Sequence, residues 1–340
     1  MTISLSPKYL TLLVFLVIGC FSPLTEENPK TATITPAQTT ATHLESTAVA
    51  APSFTTTPKA FVREYEGLIV MSGVSRLYTQ IRILDLKTSK ITNTTSMGYD
   101  SVSWSPNGEK FAFSGGLPLT QRQPNIFVFN VTDNNVIRLT DSPASQSNLS
   151  WSPNGKEMVF QLGHNINQLD LATINLENNE TKTLTFTEGD EHHPAWSPDG
   201  KEIAYLYFDS SSSSKASELW VMNYESKTSN KILDAEVAYS NIDWSPNGEW
   251  IAYIGTKTNS NCGDINTVRP DGSEKSKIME LPNCASSLSW SPDGELIAFT
   301  SKDLDTDYWG IYVLDIKNKS VNKIYSEEKD VIKAIDWWMP

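Results

Sequence analysis

From residue 66 onward, apolar side chains come in runs of three to six positions, often alternating with polar ones, and no stretch holds an apolar period of 3.6. The runs at 67–71, 81–86, 126–129, 219–222 and 311–314 are rich in β-branched, aromatic and other apolar residues, which predicts short strands. Solenoids of helices are excluded by the same pattern. Residues 21–60 carry no such order. They are rich in Thr, Pro and Ala, as in Thr31-Ala32-Thr33-Ile34-Thr35-Pro36, and cannot bury enough apolar area to offset the entropy of ordering. That segment reads as an extended tether.

The strands repeat. Trp-Ser-Pro-Asn/Asp-Gly begins at Trp104, Trp151, Trp196, Trp244 and Trp290, and a degenerate copy ends the chain around Trp337, with spacings of 47, 45, 48, 46 and 47 residues. After each complete copy comes an apolar run of one shape, such as Phe111-Ala112-Phe113 or Ile203-Ala204-Tyr205. In Ser-Pro-Asn/Asp-Gly, Pro presets φ for the first central turn position and Gly accepts the left-handed conformation that follows, so each copy predicts a tight hairpin. Two residues before each Trp stands Val102, Leu149, Pro194, Ile242, Leu288 or Ile335, and between them a small or polar residue. This period of two places each Trp and its apolar partner on one buried face, as the repeat core.

Four antiparallel strands in about 46 residues is the repeat of a β-propeller blade. Before Trp104 the chain offers only three strands, at 67–71, 81–86 and 90–92, and after Tyr325 only one, at 331–337. The surplus strand at the C-terminus completes the deficient blade at the N-terminus. The fold class predicted is all-β, a six-bladed propeller whose ring is closed by the C-terminal strand pairing with the first three.

Hydrophobic residues are 39% of the chain and aromatics 10%, enough for a sizeable core. Net charge is -13, with 40 acidic and 27 basic residues and no basic stripe, which argues against nucleic acid as a partner. The first twenty residues read as an export signal: Lys8 supplies the positive region and residues 9–18 an apolar run too short to span a bilayer. Val17-Ile18-Gly19-Cys20 resembles a bacterial lipobox, which implies lipidation of Cys20 and a membrane anchor with no transmembrane helix. The organisation expected is a signal peptide at 1–20, the tether at 21–60 and the propeller at 61–340.

Trp196-Ser197-Pro198-Asp199-Gly200-Lys201-Glu202-Ile203-Ala204-Tyr205, preceded by His193-Pro194, resembles the repeat of TolB-type β-propellers. It is similar as well to the repeat in the propellers of prolyl oligopeptidase relatives. The resemblance covers roughly residues 66–340 and implies the fold strongly and the function weakly. The additional N-terminal α/β domain of the TolB protein has no counterpart in the 39 residues from 21 to 59, and no Gly-x-Ser-x-Gly elbow is present for a peptidase. What the resemblance implies is a binding platform, not an enzyme, with a protein or peptide of the cell envelope as partner.

Loops on one face of a propeller surround the channel mouth. The residues four and three before each Trp form its expected rim, and the binding candidates among them are Asp100, Asn148, His192, His193, Asn241 and Lys333. Asp190-Glu191-His192-His193 has the donor types of a metal site, but adjacent His on a strand point to opposite faces, so neither a metal nor a cofactor is expected there. Paired carboxylates across the channel would suit polysaccharide hydrolysis, yet most acids fall in turns or at strand ends. Of the ten Trp, only Trp250, Trp309 and Trp338 are left for a sugar-stacking surface, so carbohydrate is a secondary partner. Cys262 and Cys284 map to one face of an exported domain and are expected to form a disulfide worth ~3 kcal/mol in the chain-entropy model.

Overall fold

The computed structural model describes residues 65–340 apart from 75–78, 97, 117–122, 166–167, 210, 212–215, 239, 257–262, 282, 304 and 329, and for 98–100, 164–165 and 235 it describes the backbone. The export signal, Cys20, the tether and Cys262 lie outside the described residues. Among the described residues, six four-stranded antiparallel sheets contain all 24 strands. One blade is formed by β4 (Gly98–Trp104), β5 (Lys110–Gly115), β6 (Asn125–Asn130) and β7 (Asn135–Arg138), and the next by β8 (Ser145–Trp151), β9 (Glu157–Asn165), β10 (Gln168–Asn175) and β11 (Thr181–Thr183). Then come β12 (Asp190–Trp196) to β15 (Ser229–Val237), β16 (Asp243–Trp244) to β19 (Ser276–Met279) and β20 (Ala285–Trp290) to β23 (Ser320–Glu327). The sixth blade has the order β24 (Val331–Trp338), β1 (Leu68–Val74), β2 (Thr79–Asp85), β3 (Lys90–Thr95).

The closure is the one expected from the uneven ends of the repeat. Strands β24 and β1 pair antiparallel, with Leu68 opposite Trp338 and Val74 opposite Val331, and a bulge lies between Ser72 and Gly73. A ring needs no free inner edge, because each inner strand is then both the last partner of its own sheet and the neighbour of the next.

Each hairpin shows why its motif has those residues. Ser105 Oγ accepts the Lys110 N–H at 3.0 Å and meets Asn107 Oδ1 at 2.8 Å, while Gly108 takes φ of 67°. Ser152, Ser197, Ser245 and Ser291 repeat the tie to the residue five ahead at 2.9 Å. The hairpin tips also touch around the ring. A Cβ on Gly200 would lie 3.2 Å from Pro153, and on Gly248 3.3 Å from Pro198, so each Gly seats the Pro of the preceding blade. No sixth hairpin exists to seat on Gly108. Trp338 fills that place, its ring covering Gly108 and its Nε1 donating to the Pro106 carbonyl at 3.2 Å.

Trp104, Trp196, Trp244, Trp290 and Trp337 are buried and Trp151 half-buried, and each apolar partner two residues earlier is buried as well. They pack between blades: Ile242 and Trp244 join Ala204, Leu219 and Val221 of the preceding sheet in one cluster. Replacing Trp337 by Ala removes the aromatic body at the closing seam and the Nε1 bond to the Glu66 carbonyl. It is expected to lower the unfolding free energy by about 3–5 kcal/mol. Urea denaturation followed by Trp fluorescence measures it, and a loss under 1 kcal/mol, small beside that range, would count against β24 as the closing element.

Candidate functional site: the central channel

Six inner strands, β4, β8, β12, β16, β20 and β24, surround the axis, and between them lies a cavity of about 420 Å³. Each of these strands contributes to the lining both the residue before its repeat Trp and the apolar or Pro residue two before it. Ser103, Ser150, Ala195, Asp243, Ser289 and Asp336 each stand one residue before a repeat Trp, and all line the cavity.

These side chains tie one blade to the next. The Trp151 N–H donates to Ser103 Oγ at 3.4 Å, Trp196 to Ser150 Oγ at 3.1 Å, Trp290 to Asp243 Oδ2 at 2.8 Å and Trp337 to Ser289 Oγ at 3.2 Å. Trp104 closes the circuit on Asp336 Oδ2 at 2.6 Å. At the remaining boundary the position is Ala195, which has no acceptor in its side chain, and only its carbonyl is used, by Trp244 Nε1 at 3.1 Å. A second tier lies two residues nearer the mouth. Asn148 N–H donates to Ser101 Oγ at 3.0 Å, Ile335 N–H to Ser287 Oγ at 3.2 Å, and the Asn241 amide pairs with both backbone groups of Leu288 at 2.6 and 2.8 Å. Polar satisfaction of this kind is required of inner strands whose outer neighbour is another blade and not a ladder partner.

Of the rim residues expected from the sequence, Asn148, His193, Asn241 and Lys333 line the cavity together. Asn148 and His193 reach it at positive φ, 49° and 52°, each where the register of the inner strand shifts. His192 is corrected: it is fully buried inside its blade, with Nε2 3.2 Å from Ser217 Oγ, and does not line the channel. The two rings meet edge to face, with centroids 5.2 Å apart, because the register shift after His192 and the positive φ of His193 interrupt the regular alternation of β12. Burial pushes His193 down to about 3, so its imidazole is neutral at physiological pH. The side chain of Asp100 lies outside the described ones.

Sequence reasoning missed the channel's two carboxyls. Asp243 and Asp336 were visible only as polar residues beside a Trp, and nothing in one copy of the repeat shows that two copies converge. Burial pushes Asp243 up to about 8, with the nearby Asp336 adding to the effect, and burial raises Asp336 to about 6. A signal was available: Asp occurs before Trp only in these two copies, where the others have Ser or Ala. Glu191, also missed, is buried beneath the loop before β12, takes hydrogen bonds from Thr185 and Thr187, and is raised to about 7 by burial.

The same face carries Phe186, 79% exposed in the loop before β12, and Tyr308, 40% exposed in the loop between β21 (Leu296–Lys302) and β22 (Trp309–Asp315). The three Trp proposed for sugar stacking are not exposed: Trp250 lies under the Arg269 guanidinium at 4.4 Å, and Trp309 and Trp338 pack against interblade clusters. Among the described residues no three His, Cys, Asp or Glu side chains are placed to hold a metal ion.

A channel walled by six Trp-anchored inner strands and sealed by a C-terminal strand defines a six-bladed propeller with an axial cavity. The chain belongs to the TolB beta propeller domain family, whose model matches residues 74–207 and 191–335. TolB from Acinetobacter baumannii is similar at 16% identity and TM-score 0.66, over 81% of this chain and 67% of that one. A putative TolB from Agrobacterium tumefaciens, also 16% identical, gives 0.62 over 81% and 99%. An oligogalacturonate lyase in complex with manganese, 15% identical, gives 0.53 over 73% and 71%. At these identities the structures share the fold. No curated protein matches the chain.

Supplying the missing link of the inner ring tests the role of these side chains. Ala195→Ser places a hydroxyl where the five other blade boundaries use one or a carboxyl for the following Trp N–H, and it is expected to stabilise the protein by about 0.5–1.5 kcal/mol. A shift of the urea midpoint to lower concentration would argue against the ring.

Proposed function

We propose that the chain is a lipid-anchored, extracytoplasmic binding propeller whose channel-mouth face docks a protein or peptide of the cell envelope. One observation carries this reading. The mouth gathers Asn148, His193, Asn241 and Lys333 around a cavity of about 420 Å³ on the face where Phe186 and Tyr308 are exposed. Polar groups beside exposed aromatic rings are the surface type that peptide and protein partners use. Membership of the TolB propeller family supports it.

The described chain begins at Tyr65, whose hydroxyl meets Asn322 Nδ2 at 2.9 Å near the hairpin face, opposite the mouth. The anchor in this reading is the lipid on Cys20, which the resemblance of Val17-Ile18-Gly19-Cys20 to a lipobox supports; among the described residues no helix is long and apolar enough to cross a membrane. A second reading, a polysaccharide-acting enzyme or a carbohydrate-binding module in the channel, rests on the likeness to the lyase and on the Asp243 and Asp336 carboxyls. The lack of an exposed Trp among the described residues weighs against it.

A photoreactive amino acid in place of Lys333, in the full-length protein in its native membrane, is expected to give adducts with one envelope protein. The same group in place of Lys201, exposed beside a hairpin turn, is expected to give none. Adducts chiefly with glycan, or equal labelling from both positions, would refute protein docking at the mouth. Cys20→Ser is expected to move the protein from the membrane to the soluble fraction, and thiol counting on the unreduced Cys20→Ser protein is expected to find none at Cys262 and Cys284. Two reactive thiols would refute the proposed disulfide.

A further inference from the structure

Three successive inner strands bring Asp243 of β16, Ser289 of β20 and Asp336 of β24 onto one arc of the channel wall. Ser289 Oγ lies 3.3 Å from Asp336 Oδ1 and also hydrogen-bonds the Asp243 carboxyl. A hydroxyl has one proton, so it can serve only one of the two acids at a time. The other polar partners of the pair are backbone N–H groups: Trp290 and Trp244 to Asp243, and Trp104 and Trp337 to Asp336. Two ionised carboxylates that share a single hydroxyl inside a walled channel repel each other with little solvent screening. A second proton removes the repulsion and gives the arc the donor it lacks.

The neighbouring strands provide no compensating cation at the pair. His193 faces the cavity from β12 and is neutral, and Lys333 is exposed at the mouth on β24. Asp190 and Glu191 on β12, Lys302 on β21 and Asp315 on β22 are the other charged residues of the packed strands with described side chains, and none of them lines the cavity.

We propose that Asp243 and Asp336 hold one shared proton at neutral pH, and that its loss in mildly alkaline solution charges the channel and loosens the seam between the blades they join. The inference extends the docking reading to the regulation of the same channel: the lumen would favour neutral segments when protonated and cationic ones when not. The proton itself does not depend on that reading. A group raised in the folded state keeps a proton that the unfolded chain gives up near the ordinary carboxylate range. Its contribution to stability is therefore complete below about pH 4 and is lost as pH rises through the folded titration.

Carboxyl-carbon NMR of the intact protein labelled at aspartate tests the shared proton without any partner. The expected result is a carboxyl that titrates between about pH 6 and about pH 8, which in Asp336→Asn moves to lower pH because the second charge is gone. Two carboxyls that titrate in the ordinary range would overturn the proposal, as would a titration that neither Asp243→Asn nor Asp336→Asn displaces. Thermal unfolding gives a second readout. The fall in melting temperature between about pH 5 and about pH 8.5 should be larger for the wild type than for Asp243→Asn, and equal falls would overturn the proposal. Should a variant fail to fold, the wild-type titration decides alone. Failure of the Lys333 crosslinking would remove the docking site and leave the titration standing, so the two ideas fail separately.

Discussion

The structure depends on a problem that every inner strand must solve. One edge of β4, β8, β12, β16, β20 or β24 is paired within its own blade, and the other faces the neighbouring inner strand at an angle that no ladder can bridge. The N–H groups on that edge are enclosed, and leaving such a group unmade costs about 1–3 kcal/mol. The repeat answers with a side-chain acceptor one residue before the Trp and, at several boundaries, a second acceptor three before it. This places small polar residues on the channel side and the apolar ones in the clefts between blades. The hydrophobic clusters, the channel wall and the interblade bonds are thus three results of one alternation of side chains.

That alternation explains what was legible. A Trp spaced every 45 to 48 residues, with an apolar residue two before it, is sufficient to fix strand, face and blade. The closure followed from counting strands at the two ends, because a sheet with three strands and a lone strand elsewhere leave two edges that satisfy each other. Trp338 was harder to read. As the residue after the repeat Trp it aligns with a turn Ser, yet it covers Gly108 in the role that a Pro has at the other hairpins. Only the ring, in which the last hairpin is missing, gives it that partner.

The site was legible as a set of positions and not as chemistry. Counting back from the Trp found Asn148, His193, Asn241 and Lys333, since they share a register. The same count placed His192 at the rim, where a register shift in β12 turns it into the blade instead. The bulge that lifts His193 into the channel is a local insertion of backbone, and no residue type announces it. Asp243 and Asp336 escaped for another reason. They are 93 positions apart by numbering, and only the ring places the inner strands β16 and β24 on either side of β20.

A carboxyl in place of a serine hydroxyl accepts the same Trp N–H but brings a charge that a hydroxyl does not. Four boundaries of the ring use Ser or do without, and the two that use Asp flank Ser289, so the charge is concentrated on one arc and not spread evenly. Shape would be conserved equally well by Ser at both positions. The difference between the two designs is electrostatic: an all-Ser wall is indifferent to pH and to the sign of what enters, whereas this arc responds to both. In a chain whose blades otherwise repeat one solution, that asymmetry is where the ring departs from a structural minimum toward a property of the channel.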